Sequence, residues 1–255
     1  MWTHAETAIL FLPQRIFISA TRHQRTQKVE INLLFQPIRR IFATMNENMT
    51  TEKWCENVII ADGDYIDKVA FNLIVNFERM IGRRIPQADM ARWIDCVALD
   101  GGMKPAEQPV NTQDSSSPAP QNQTSVIFIH DKQLDRLQNF TPGHYVDDLH
   151  MKAFSDSLGE FMMSAFPVEE SVVTKRDFFI DVTKTICNLK EVRRVMIIPD
   201  AERIYDDVRL ALKDADDEKR ITVFAMQPMP GGNFRQEILG YSLMQALGIR
   251  ASEIG

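Results

Sequence analysis

Two kinds of apolar run alternate along the chain from about residue 58. Short continuous runs that end in acids read as buried strands, and longer stretches with apolar residues at intervals of three and four read as helices. Val58-Ile59-Ile60-Ala61 is the first strand, closing at Asp62-Gly63-Asp64-Tyr65. Ile66, Val69, Ala70, Leu73, Ile74, Phe77, Met80 and Ile81 then mark one wide helical face, which Gly82 stops. Trp93 to Leu99 reads as a second strand and Ser125 to Ile129 as a third, ending at His130-Asp131. Two short helices are expected over 132–138 and 145–154, followed by an extended segment over 160–166. Thr174-Lys175-Arg176-Asp177 resembles a capping box and opens a helix carrying Phe178, Phe179, Val182, Ile186 and Leu189. Val195 to Ile198 is a further strand, ended by Pro199-Asp200 ahead of a helix with Ile204, Val208 and Ala211 on one side. Ile221 to Met226 completes the strands. Asn233 with Gln236 is expected to cap a last helix running to about Leu247, with Gly248 as its stop.

Strands alternating with helices of this length require crossovers that return over the sheet. The predicted fold class is therefore α/β, a three-layer Rossmann-like domain with a mainly parallel sheet, spanning residues 49–255 as a single domain. Residues 103–124 interrupt it: four prolines, the Ser115-Ser116-Ser117 run and no Ile, Leu or aromatic residue mark a flexible insert. Residues 1–48 read as an N-terminal extension outside the fold. Its first 44 residues are Arg-rich and acid-poor, as a transit peptide would be, but Met45 and Met49 lie just before the first strand. A misassigned start is the simpler expectation.

Charge narrows the partners. The chain carries a formal −6, and residues 1–44 hold six of its 29 Lys+Arg and two of its 35 Asp+Glu, which leaves 23 against 33, or −10, for the remainder. An acidic body is poorly suited to extended nucleic-acid binding, which depends on Lys and Arg displacing counterions. No apolar run approaches the roughly 20 residues of a membrane-spanning helix, so no membrane partner is expected. Cys55, Cys96 and Cys187 are odd in number and widely separated, a usage that fits a reducing, cytoplasmic setting. A homo-oligomer remains open.

Candidate chemistry collects where strands end, since open parallel sheets bind ligands outside the carboxyl ends of their strands. Asp62 and Asp64 are two apart; if the strand persists they face the same way and repel unless a proton or cation intervenes. Asp62 with Asp200 as Mg²⁺ or Mn²⁺ ligands, and Asp64 as a ligand or water-orienting base, would suffice chemically. The commoner explanation of an Asp after a strand is a helix N-cap, and Asp64, Asp131 and Asp200 each precede a predicted helix. Asp62 lies too early to cap if Asp64 does, so it carries the stronger suspicion. Between the last strand and the last predicted helix, backbone N–H groups at Gly231-Gly232-Asn233 are a candidate anion site. Neither the lysine of a phosphate loop nor a G-x-G-x-x-G spacing accompanies them. The charged run Asp214 to Arg220 reads as a solvated turn.

The segments Ala61-Asp62-Gly63-Asp64-Tyr65 and Phe224 to Asn233 resemble those of an uncharacterised α/β family of Bacteroides-type bacteria, a likeness that implies a bacterial cytoplasmic protein and brings no activity. The strand ending in Asp62-Gly63-Asp64 and the later one ending at Asp200 are also similar to PIN/NYN-type Mg²⁺-dependent ribonucleases. Tyr65 stands where that pattern has Asn, and Pro199-Asp200-Ala201-Glu202 lacks its Ser-Gly-Asp-x-Asp signature. The Asp-x-Asp of haloacid-dehalogenase-type phosphatases fits less well, with no matching lysine evident. The expectation is thus a non-catalytic or small-ligand-binding domain, the alternative being a Mg²⁺- or Mn²⁺-dependent PIN/NYN-like nuclease or phosphate hydrolase.

Overall fold

β1 (Asn57–Asp62) is buried from Val58 onward, which is why its sequence is a continuous apolar run rather than an alternation. The structure, a computed structural model, describes residues 55–105 and 122–254. After β1 come α1 (Gly63–Ile81), β2 (Ala88–Asp89), α2 (Met90–Asp100), β3 (Gln123–Asp131) and β4 (Phe140–Thr141). A π-helical turn (Tyr145–Leu149) leads to β5 (Lys152–Asp156), β6 (Gly159–Val168), α3 (Lys175–Asn188), β7 (Arg194–Ile198), α4 (Ala201–Ala211), β8 (Arg220–Ala225), β9 (Arg235–Ile238) and α5 (Leu239–Ala246).

This is a mixed α/β arrangement. Its seven-stranded sheet has the order β5-β6-β3-β1-β7-β8-β9 and is parallel except for the β5–β6 pair, while β2 and β4 form a separate two-stranded piece. From β1 the chain lays β3 and then β6 to one side. It then returns through α3 to place β7, β8 and β9 on the other, so the order reverses between β1 and β7. All strand carboxyl ends in the parallel part, and the amino ends of the helices that follow them directly, share one edge of the sheet.

The core follows from the strand period of two. Ile59 and Ala61 of β1, Phe128 of β3 and Met196 of β7 belong to one buried cluster with Ile66 and Val69 of α1, Trp93 and Val97 of α2 and Leu243 of α5. The intervening Val58, Ile60, Ile127 and Ile197 are also fully or almost fully buried, and α3 contacts β1, β3 and β7 and packs on α4. No helix among the described residues is long and apolar enough to cross a membrane.

Several elements depart from the sequence expectation. Residues 93–99 are helix, not strand: Asp89 accepts from Arg92 N at 3.0 Å and starts α2 earlier, so that Met90, Trp93, Ile94, Val97 and Ala98 form a helical face. Asp95 therefore sits on a helix. The short helices expected over 132–138 and 145–154 are turns, the π-helical turn and β5 instead. Asn233 caps no helix, because edge strand β9 follows it and α5 starts only at Leu239. Gln236 instead clamps the loop, accepting from Met229 N at 3.1 Å and donating to Met229 O at 3.0 Å. The extension 1–48 and insert residues 106–121 lie outside the described residues. At the insert's described ends, Met103 is buried and Gln123 and Thr124 are already part of β3.

Candidate functional site

The two acids after β1 exchange the places expected of them. Asp62 is the N-cap of α1, its Oδ1 accepting from Tyr65 N at 3.0 Å, whereas Asp64 lies inside the first turn of that helix. The reason is that the helix begins at Gly63, directly on the end of the strand, and leaves no room for a cap at Asp64. Gly63 is needed there for space: a Cβ would collide with Tyr145 Oη.

Lys175, the first residue of α3, reaches between the two carboxylates. Its Nζ lies 2.8 Å from Asp62 Oδ1 and 2.6 Å from Asp64 Oδ2. Asp62 is 2 % exposed and the Lys175 and Asp64 side chains about a fifth, so the cluster is largely withdrawn from water. Burial pushes the Asp62 carboxyl above its usual range, with the Lys175 charge and hydrogen bond and the Tyr65 N–H opposing it. Burial works against the Lys175 ammonium too, but Asp62 and Asp64 outweigh it and hold the lysine above its ordinary pKa. Lys175 thus supplies the positive charge that two neighbouring carboxylates require. Sequence reasoning passed over it, reading residues 174–177 only as a cap; Thr174 does cap α3, accepting from Asp177 N at 3.0 Å.

Other groups complete the rim. Asp64 Oδ2 also accepts from Asp131 N at 2.9 Å, which ties the end of β3 to α1. Asp131 itself caps no helix; its Oδ1 closes a turn on Gln133 N at 2.8 Å. His130 stacks on Tyr145 with ring centroids 3.6 Å apart and planes 10° from parallel, and its Nδ1 is 2.9 Å from Asp131 O. That contact requires the proton on Nδ1. Burial holds the imidazole below its usual pKa, and burial pushes the Tyr145 phenol up.

Asp200 occupies the N-cap position of α4, yet its side chain makes no capping bond. Its Oδ2 is 3.7 Å from Arg203 Nε, and its Oδ1 is buried without a partner. Asp64 Oδ1 is likewise buried and unpartnered. Among the described residues no three or more His, Cys, Asp or Glu side chains group as they would around a metal ion. The acids could offer one or two carboxylate ligands to a hydrated cation, or acceptors to a ligand carrying hydroxyl or amine groups.

Gly231, Gly232 and Asn233 lie in the loop between β8 and β9. With no helix amino terminus behind them, the helix-based reason for an anion site there is removed. The Asn233 side chain donates to Asp217 Oδ1 at 2.6 Å.

A family model described as a family of unknown function (DUF6621) matches residues 51–254, and the chain belongs to that family. No curated protein and no solved structure matches it.

Proposed function

We propose that this DUF6621 chain is a small-ligand-binding, non-catalytic domain of three-layer Rossmann-like build, with its ligand lying over the carboxyl ends of β1 and β7. Counting parallel strands only, the order is third, second, first, fourth, fifth, sixth, which is that of doubly wound nucleotide-binding sheets, and β1/β7 is its switch point. The observation that carries the non-catalytic reading is Lys175. An internal ammonium bridges Asp62 and Asp64, so the repulsion between the two carboxylates is relieved without a metal. Asp64 Oδ1 and Asp200 Oδ1 are left to accept from donors on the ligand. The free state of Cys55, Cys96 and Cys187 supports a reducing, cytoplasmic setting.

One observation favours the second reading, a Mg²⁺- or Mn²⁺-dependent PIN/NYN-like nuclease or phosphate hydrolase. The same two unpartnered oxygens are where a hydrated cation would attach, with Asp62 joining once Lys175 swings toward a substrate phosphate. Thermal unfolding of the full chain with and without Mg²⁺ or Mn²⁺ separates the two. The non-catalytic reading expects no shift in wild type. Stabilisation of about 2.7 kcal/mol at a hundredfold excess over Kd, abolished in both Asp64→Asn and Asp200→Asn, would replace it with the hydrolase.

A further inference from the structure

At the opposite edge of the sheet, where the strands begin, basic residues converge. Arg194 and Arg220 are the first residues of β7 and β8 and are direct partners across the two parallel strands. Arg235 opens β9 opposite Thr222, so it projects to the same face as Arg220. Together with Lys219, Phe234 and Gly102 these three arginines line a cleft of about 440 Å³, within the range of small-molecule sites.

Like charges directly opposite one another in a sheet destabilise it. Here little opposes them. Arg194 Nη1 donates to Gly101 O at 2.5 Å, and Lys219 Nζ to Leu189 O at 2.5 Å and Val192 O at 2.6 Å. These are neutral carbonyls, which position the cations without cancelling their charge. Among the described residues, Glu237, 3.0 Å from Arg235, is the acid that pairs with a cation of this cleft. Burial first, and then the charges of Arg220 and Arg235, hold the Arg194 guanidinium below its ordinary range. All this occurs in a part of the chain with ten more acids than bases.

We propose that the cleft between the amino ends of β7, β8 and β9 binds the phosphate groups of a small phosphorylated molecule, with Arg194, Arg220 and Arg235 as its ligands. Guanidinium forks match tetrahedral oxyanions in geometry and in hydrogen-bond number, and three of them around one cleft fit a ligand with more than one negative charge. A long polynucleotide is disfavoured, because a chain with ten more acids than bases beyond residue 44 offers few further cations to its phosphates. The site is independent of the acidic rim, at the other end of the strands, and stands whichever reading of that rim holds.

Calorimetric titration of the full chain with sodium pyrophosphate, against chloride at matched ionic strength, tests it. Wild type is expected to bind. Arg220→Gln and Arg235→Gln should each weaken binding about tenfold or more, while Arg220→Lys, which keeps the charge but not the fork, should lose less than Arg220→Gln. The unliganded Arg220→Gln variant should unfold at an unchanged or higher temperature, since it removes a like-charge neighbour, and Arg235→Gln, which also gives up its exposed pair with Glu237, close to the wild-type temperature; this separates lost binding from lost folding. No pyrophosphate-specific heat in wild type, or equal affinity in wild type and both Gln variants, would overturn the proposal. Affinity that rises steadily with the length of an added oligoribonucleotide, leaving pyrophosphate far behind, would overturn it in favour of an RNA backbone.

Discussion

The two edges of the sheet treat charge in opposite ways. At the carboxyl edge, Asp62, Asp64 and Lys175 close on one another, and each acid has an internal counter-charge within 2.8 Å. At the amino edge, Arg194, Arg220 and Lys219 face a shared cleft, with backbone carbonyls as the partners of Arg194 and Lys219. Opposite charges that meet internally hold one another in place, whereas like charge gathered without a counter-charge is a cost that a ligand would relieve. The acids draw attention in the sequence, but the more open demand for a partner lies among the arginines.

Removing Lys175 should break the closed edge most severely. Lys175→Met leaves Asp62 buried and uncompensated, a change that typically costs about 3–5 kcal/mol; partial exposure of Lys175 and Asp64 places it toward the lower end. Denaturant unfolding at neutral pH reads this directly. The pH dependence has a definite sign. Asp62 already has a folded pKa above its unfolded value, and the loss of Lys175 raises it further. Its contribution is therefore complete below the ordinary carboxylate range and lost as pH rises through the folded pKa, so the variant's deficit should grow from acid toward neutral pH. Lys175→Met/Asp62→Asn should recover much of the loss. A deficit below about 1 kcal/mol, flat in pH, would show the edge to be an ordinary surface ion pair.

How much of each edge could be read beforehand differs for a physical reason. β1, α1 with its Gly82 stop, α3, β7 and β8 follow periods that are local, and the sequence carries them plainly. The acids after β1 were legible for the same cause. Lys175 was not, because its partners are 111 and 113 residues away. A usable cue existed: a helix following a parallel strand begins on the same edge where the strands end, so the first residue of α3 belongs beside Asp64. The arginine cleft was hidden more deeply. By sequence Arg220 falls in a charged turn and Arg235 in a helix whose place β9 takes, and only strand register sets Arg194 opposite Arg220. Register depends on packing between distant strands, which no local period encodes.

A smaller effect tests how tightly the first turn of α1 packs on Tyr145. Gly63→Ala would ordinarily stabilise the first turn of a helix, since alanine has the better propensity. Here the new Cβ meets Tyr145 Oη, so a loss of about 1–3 kcal/mol is expected instead. Combining it with Tyr145→Phe removes the hydroxyl and should return part of that loss, a non-additivity that equilibrium unfolding of the four proteins measures. Simple additivity would mean that the edge has slack and that the Tyr145 ring does not fix it.

The smallest effect tests the amino edge itself. A double-mutant cycle of Arg194→Gln and Arg220→Gln, in phosphate-free buffer at low salt, should return an unfavourable coupling of a few tenths of a kcal/mol between the two arginines. The cycle cancels the separate loss of the Arg194 bond to Gly101 O, so the remainder reports the pair alone. Salt should shrink the coupling, because Arg220 is exposed and its field is screened over about 10 Å at 0.1 M. Pyrophosphate should do more than shrink it: an anion held by both guanidiniums turns mutual repulsion into shared attraction, and the coupling should change sign. A coupling that is already favourable without any anion would mean that these arginines are matched from within, and the two edges would then be alike.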